Sequence, residues 1–220
     1  SAVIREYILS ESMHALGIPT TRALAAIKTS DTVIREDRYP AGIVTRVARS
    51  HIRVGTFEYF TYQQDFNSLK ILIDYTVTRL FPEISDSPNK PFSLFETVCK
   101  HQATLISNWL RVGFIHGVMN TDNTSIAGET IDFGPCAFLD EYHASKVFSS
   151  IDHQGRYAFL NQLNIIVWNM MQLANSLLQI DPNKKQIDLF QNQLDVFTDE
   201  LLSSWDQIRC QKIGFSTATD

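Results

Sequence analysis

The sequence predicts an α+β fold that is mainly α-helical, and three observations predict it. Apolar residues recur at helical spacing over most of the chain after Gly55, two short β-type runs stand together near the N-terminus, and one polar loop interrupts the helical part. With 220 residues, 44% of them hydrophobic and 20% charged, the chain holds enough apolar material to pack one large domain or two small ones.

The elements follow in order. From Ile4 to Leu16 the pattern is helical, and Gly17-Ile18-Pro19 supplies a glycine-then-proline stop. Ala23 to Lys28 and Gly42 to Val47 read as hairpin strands, with the polar stretch Thr29 to Pro40 as an exposed connection; strands are expected nowhere else. Helical spacing then runs through Phe66 to Phe81, Phe92 to Val112, Gln154 to Ile180 and Ile187 to Ile213. Pro82 to Pro91 reads as a surface loop and Asp181 to Lys185 as a break between helices. No internal repeat is visible.

Composition excludes several classes of function. The net charge is -5 and the Lys and Arg are scattered among acids, which argues against a nucleic-acid or anionic-membrane surface. Cys99, Cys136 and Cys210 lie far apart without metal-ligand spacing, so neither a zinc site nor a disulfide framework is expected, and a reducing compartment is the default. No apolar run reaches the roughly 18 residues of a membrane span, and the basic-then-apolar pattern of a signal peptide is missing, although a chain beginning inside a longer protein would hide one. His14, His51, His101, His143 and His153 show no ligand spacing and read as surface or satisfied core histidines. Cys136 reads as a buried apolar thiol, and Trp109, Trp168 and Trp205 read as core.

The informative irregularity is Ile115 to Leu139, a loop between apolar helices that carries His116, Gly117, Asn120, Asp122, Asn123, Asp132, Gly134 and Pro135. Asp122-Asn123, followed nine residues after Asn123 by Asp132-Phe133-Gly134, supplies the oxygen ligands that a hard divalent ion takes. Asn123 and Asp132 fit as metal ligands, leaving Asp122 as a base. Protein kinases place a catalytic Asp five residues before a metal-binding Asn and then an Asp-Phe-Gly. Here that base position is Val118, so Asp122 is the carboxylate left to accept a substrate proton. The plainer alternative is that Asp and Asn in a loop form turns on their own backbone.

Two further features point the same way. Glu6 precedes Leu9, Met13 and Leu16 at helical spacing, which puts a carboxylate on an apolar face where it needs a cation. In kinase folds that cation is a strand lysine holding the α and β phosphates; no strand precedes Glu6, so such a lysine would lie upstream of this chain, and the alternative is pairing with Arg5 or solvent. Arg46, Arg49 and Arg53 concentrate guanidinium groups that suit a triphosphate, or else an ordinary surface beside acids such as Glu58.

Long stretches carry a resemblance. Ile4-Arg-Glu-Tyr7 with Met13 to Leu24, Thr45-Arg-Val-Ala48 with Ser50 to Glu58, and His116 to Asn123 with Thr130 to Pro135 resemble the selenoprotein O family, over roughly residues 3 to 140, while the C-terminal helices match in general character. The resemblance implies a protein-kinase-like fold, with a partial small lobe over residues 1–54 (helix C and short hairpin strands) and a helical large lobe over 55–220. It implies ATP bound flipped relative to ordinary kinases, and transfer of AMP to Ser, Thr or Tyr hydroxyls of protein substrates. By the same resemblance Asp122 is the base, Asn123 and Asp132 bind Mg²⁺ or Mn²⁺, Glu6 is the helix-C glutamate, and Arg46 and Arg53 contact the phosphates. Some members are associated with UMP transfer. A γ-phosphate kinase and a non-catalytic nucleotide-binding scaffold are the alternatives. The compartment implied is the cytoplasm for a bacterial source and the mitochondrion for a eukaryotic one. The chain lacks the family's upstream lysine and glycine-containing loop and its C-terminal selenocysteine or cysteine region, so an excised domain with little or no activity is expected. Asp-Phe-Gly also replaces the Asp-Tyr-Gly of many members, which leaves the metal-binding Asp intact.

Overall fold

A computed structural model describes residues 2–34 and 37–215. Helix α1, Ala2–Ala15, is ended as the sequence indicates: Gly17 takes a φ of 73° and Ile18 N–H returns to Met13 O at 3.0 Å. Strand β1, Arg22–Ile34, pairs antiparallel with β2, Arg38–Val47, in a register running from Arg22 opposite Val47 to Ile34 opposite Arg38.

The hairpin is longer than the sequence predicts. Most of the stretch expected as a connection continues the ladder, with Thr32 opposite Pro40 and Val33 opposite Tyr39, while Arg35 and Glu36 lie outside the described residues. Thr29, Thr32, Val33 and Ile34 are β-branched and suit a pleated backbone. With residues 30–34 exposed on both faces, they carry no apolar alternation to signal a strand.

The helical part is organised around α4, Lys90–Val112. Asn89 caps it through its side chain, Pro91 sits in its first turn, and Gly113 closes it at a φ of 72°. Its buried stripe includes Leu94, Phe95, Val98, Gln102, Leu105, Ile106 and Trp109, the three-and-four spacing of an inward helix face. Helices α2 (Val54–Tyr62) and α3 (Phe66–Leu80) precede it, separated where Gln64 takes a φ of 54°; α5 (Gln162–Leu177) and α6 (Lys184–Lys212) follow. α6 lies along α4, with Phe190 stacked on Phe95 at 5.0 Å between ring centroids.

Other expectations shift. Pro82 to Pro91 is not a plain loop: Pro82–Ile84 forms a 3₁₀ turn. The helix expected from Gln154 begins only at Gln162, because the Asp152 carboxylate accepts both the Arg156 and the Tyr157 N–H at 2.8 Å and holds residues 152–157 in a turn. Two short strands lie outside the hairpin, β3 (Phe114–Ile115) and β4 (Ala137–Phe138). Trp109 and Trp205 are core residues, but Trp168 is half-buried and carries the Arg156 guanidinium over its ring at 4.7 Å. No helix among the described residues is long and apolar enough to cross a membrane. Cys99 and Cys136 are free and buried, Cys210 free and half-buried.

The α4–α6 contact rests on aromatic packing. Phe95 is fully buried there, so Phe95→Ala is expected to cost about 3–5 kcal/mol, read as a lower midpoint in urea unfolding with little change in slope.

Candidate active site

The pairing of β3 and β4, Phe114 opposite Phe138 and Ile115 opposite Ala137, brings both ends of the polar loop together. Between them the chain makes two passes, residues 116–124 and 130–136, and His116 ties one to the other. Its ring is buried, and Nε2–H donates to Ile131 O at 2.8 Å, which leaves Nδ1 to accept from Val118 N–H at 3.4 Å. Gln162 braces the same point from α5, accepting His116 N–H and donating to Phe114 O, both at 3.0 Å. Gly117, at a φ of 83°, leaves no room for a side chain: a Cβ there would lie 3.0 Å from the Pro135 ring.

Asn123 closes a 3₁₀ turn, Thr121–Asn123, and its Nδ2 donates to Val118 O at 2.9 Å, which fixes the amide and leaves Oδ1 without a partner among the described residues. Asp132 holds a φ of 69°, a left-handed conformation uncommon outside glycine and asparagine. Its neighbour Phe133 is buried against Phe114, with 6.2 Å between ring centroids. Among the described residues neither the Asp132 nor the Asp122 carboxylate has a hydrogen-bond or ion-pair partner, and Asp122 is exposed. No group of three or more His, Cys, Asp and Glu gathers at one point among the described residues. This donor set of one amide oxygen and one carboxylate fits an ion that takes its remaining ligands from phosphate and water, as Mg²⁺ does.

Glu6 meets a cation of this chain, Arg46. Its Oε2 accepts from Arg46 Nη2 at 2.8 Å, with side chains only 15% and 23% exposed, and its Oε1 accepts the Phe133 N–H at 2.6 Å. Arg5 is not its partner, unlike the plainer alternative: the Arg5 guanidinium instead donates to Phe133 O at 3.2 Å and to Cys136 O. Arg5 thus restrains the loop backbone, a role that its place in the sequence, as an alternative partner of Glu6, does not signal.

The three arginines separate. Arg46 binds Glu6 through one nitrogen, and a guanidinium has five N–H donors. Arg53 begins α2, bridges to Ser125, and is followed by Val54, whose N–H donates to Thr124 O at 3.0 Å, so it stands beside the Asn123 turn. Its Nε is buried with no partner among the described residues. Arg49 turns elsewhere, donating from Nη2 to Leu80 O at 3.3 Å, while its N–H donates to Glu129. The three guanidinium groups read together in the sequence thus meet different surroundings: Arg46 meets Glu6, Arg53 lies beside Ser125, and Arg49 answers the carbonyl end of α3. Burial raises the Glu129 carboxyl above its usual range, and it pushes the Cys136 thiol up to about 11, which keeps that sulfur protonated and inert as expected.

A family model described as protein adenylyltransferase SelO matches residues 1–220. A protein nucleotidyltransferase YdiU from Rhizobium rhizogenes is 60% identical over 181 residues, covering 82% of this chain and 36% of the relative. YdiU proteins from Roseobacter denitrificans and Ruegeria pomeroyi are 49% and 50% identical over 99% and 97% of this chain, and 46% and 45% of their own lengths. The chain thus spans less than half the length of these curated relatives, and the resemblance carried by its motifs extends over the C-terminal helices.

Burial lowers the His116 pKa despite its bond to Ile131 O and the nearby Asp132 and Glu6 charges, so the folded protein holds the ring neutral. With a folded pKa below the unfolded value of about 6.5, the stability this gives is fully present above that pH and is lost as pH falls toward the lowered value. Urea unfolding between neutral and acid pH is expected to show a loss of stability that is smaller in His116→Gln, which has no such proton to take up.

Proposed function

The chain belongs to the protein adenylyltransferase SelO family, and from that premise we propose that it carries the nucleotide- and metal-binding loops of an enzyme that transfers AMP from ATP to Ser, Thr or Tyr hydroxyls of proteins. We read residues 1–54 as part of a small lobe and 55–220 as the helical large lobe of a kinase-like fold. The observation that carries the reading is the run Arg46–Glu6–Phe133 beside Asp132, which couples a phosphate-side guanidinium to the metal-side carboxylate through one shared glutamate.

In this mechanism Arg46 and Arg53 hold the phosphates, and Glu6 orients Arg46. Asn123 Oδ1 and the Asp132 carboxylate would hold Mg²⁺ or Mn²⁺, which when bound would supply charge neutralisation at the phosphates. Asp122, exposed and without a partner among the described residues, takes the proton of the acceptor hydroxyl. As the acceptor oxygen bonds to the α-phosphorus, the bond from that phosphorus to the bridging oxygen breaks and pyrophosphate leaves. Val118 at the usual base position, with the free carboxylate next to the metal-binding Asn instead, supports a nucleotide turned to present its α-phosphorus. UTP in place of ATP would leave every one of these roles unchanged.

The test uses the full-length protein with Mg²⁺ or Mn²⁺ and ATP labelled separately at the α and γ positions. Protein-bound α label without γ label is expected. Asp132→Ala and Asn123→Ala are each expected to reduce it by more than about 100-fold, since metal-assisted charge stabilisation is worth several kcal/mol at about 1.4 kcal/mol per tenfold. Protein-bound γ label would make the enzyme a kinase, and nucleotide binding without either label would make the fold a scaffold.

A further inference from the structure

We propose that Gly55 is a positioning residue for Asp122: lacking a side chain, it lets the carboxylate lie against the first turn of α2 and so sets where the proton acceptor stands. The inference rests on the reading of Asp122 as the base. A Cβ at Gly55 would lie 2.3 Å from Asp122 Oδ1, 3.3 Å from its Cγ and 3.5 Å from its backbone N. Non-bonded heavy atoms pack at about 3.5–4.0 Å, so a side chain at 55 and the carboxylate in its present place exclude each other. The three nearest atoms all belong to Asp122, so the conflict falls on that residue.

Backbone conformation does not call for this glycine. Unlike Gly17, Gly113 or Gly117, it has no positive φ, and in a helix glycine is less favourable than alanine. What Gly55 provides is the close approach. Both sides of the contact are pinned: Val54 N–H donates to Thr124 O at 3.0 Å, Asn123 Nδ2 to Val118 O at 2.9 Å, and Thr124 Oγ1 to Asn120 O at 3.0 Å. Neither α2 nor the Thr121–Asn123 turn can draw back without breaking these bonds. The Asp122 side chain is exposed on the side away from α2 and can swing out that way, so a methyl group at 55 displaces the carboxylate while the fold persists.

The experiment compares Gly55→Ala, Asp122→Asn and the double variant in the full-length protein, by self-labelling with α-labelled ATP and Mn²⁺. Gly55→Ala is expected to lower turnover by about 100-fold, the scale of an ångström-sized misplacement, with the KM for ATP within about twofold of the parent. The double variant is expected to be no slower than Asp122→Asn, because a misplaced group that no longer accepts a proton costs nothing further. Parental turnover in Gly55→Ala alongside an inactive Asp122→Asn overturns the proposal and leaves the mechanism standing. A loss that adds to that of Asp122→Asn also overturns it, since Gly55 would then act by another route. Full activity in Asp122→Asn removes the base assignment itself, whatever Gly55 does. Melting temperatures separate folding from positioning: if Gly55→Ala unfolds, Gly55→Ala with Asp122→Ala is expected to fold, and failure of that pair sinks the proposal.

Discussion

The Glu6 carboxylate divides its two oxygens between a strand guanidinium and a loop amide, and the geometry on both sides of the site follows from that division. A mostly buried carboxylate is tolerated only where its charge is answered. Here one oxygen meets Arg46 on β2 and the other meets the backbone of Phe133, so α1 cannot tilt without unseating the hairpin or the loop. Arg5, one residue earlier, extends the restraint by donating to Phe133 O from the other side of the same peptide segment.

The restraint accounts for the backbone at Asp132. A non-glycine residue at positive φ persists only where its surroundings hold it there. Three of the groups flanking Asp132 are engaged: Ile131 O with His116, Phe133 N–H with Glu6, and Phe133 O with Arg5. The buried Phe133 ring anchors the side-chain direction as well. The carboxylate has no partner among the described residues, which is the condition under which it can hold an ion.

Much of this was legible in the sequence, and the limits have physical causes. The long helices showed because an inward face repeats every three or four residues, as in the stripe from Leu94 to Trp109. The hairpin was half-visible because residues 30–34 are exposed on both faces and leave no alternation to read. The turn at 152–157 reads as helix because the hydrogen bonds of one aspartate, not a change in apolar spacing, delay the helix to Gln162. In the site, Asp122, Asn123 and Asp132 announced themselves as oxygen donors clustered in a loop. Arg46, Arg49 and Arg53 looked equivalent, yet Glu6 claims the first, the end of α3 takes the second, and the third lies beside the Asn123 turn. Which carboxylate or carbonyl an arginine meets is decided by long-range packing, and no local spacing encodes it.

The contrast between Asp132 and Asp122 completes the argument. Residues proposed to hold phosphate and metal would gain from rigidity, and each of Glu6, Asn123 and Asp132 is fixed by backbone bonds on itself or its neighbours. A proton acceptor for a protein hydroxyl faces a different constraint, since its partner arrives on another macromolecule and has to reach it. Exposure at Asp122 meets that need, but an exposed aspartate has several rotamers and would otherwise wander. Packing from one side by a helix too close for a side chain narrows those choices while the other side stays open. In the proposed reaction the bare surface of α2 would therefore serve the base as the hydrogen-bonded network serves the metal, by limiting motion without covering the group.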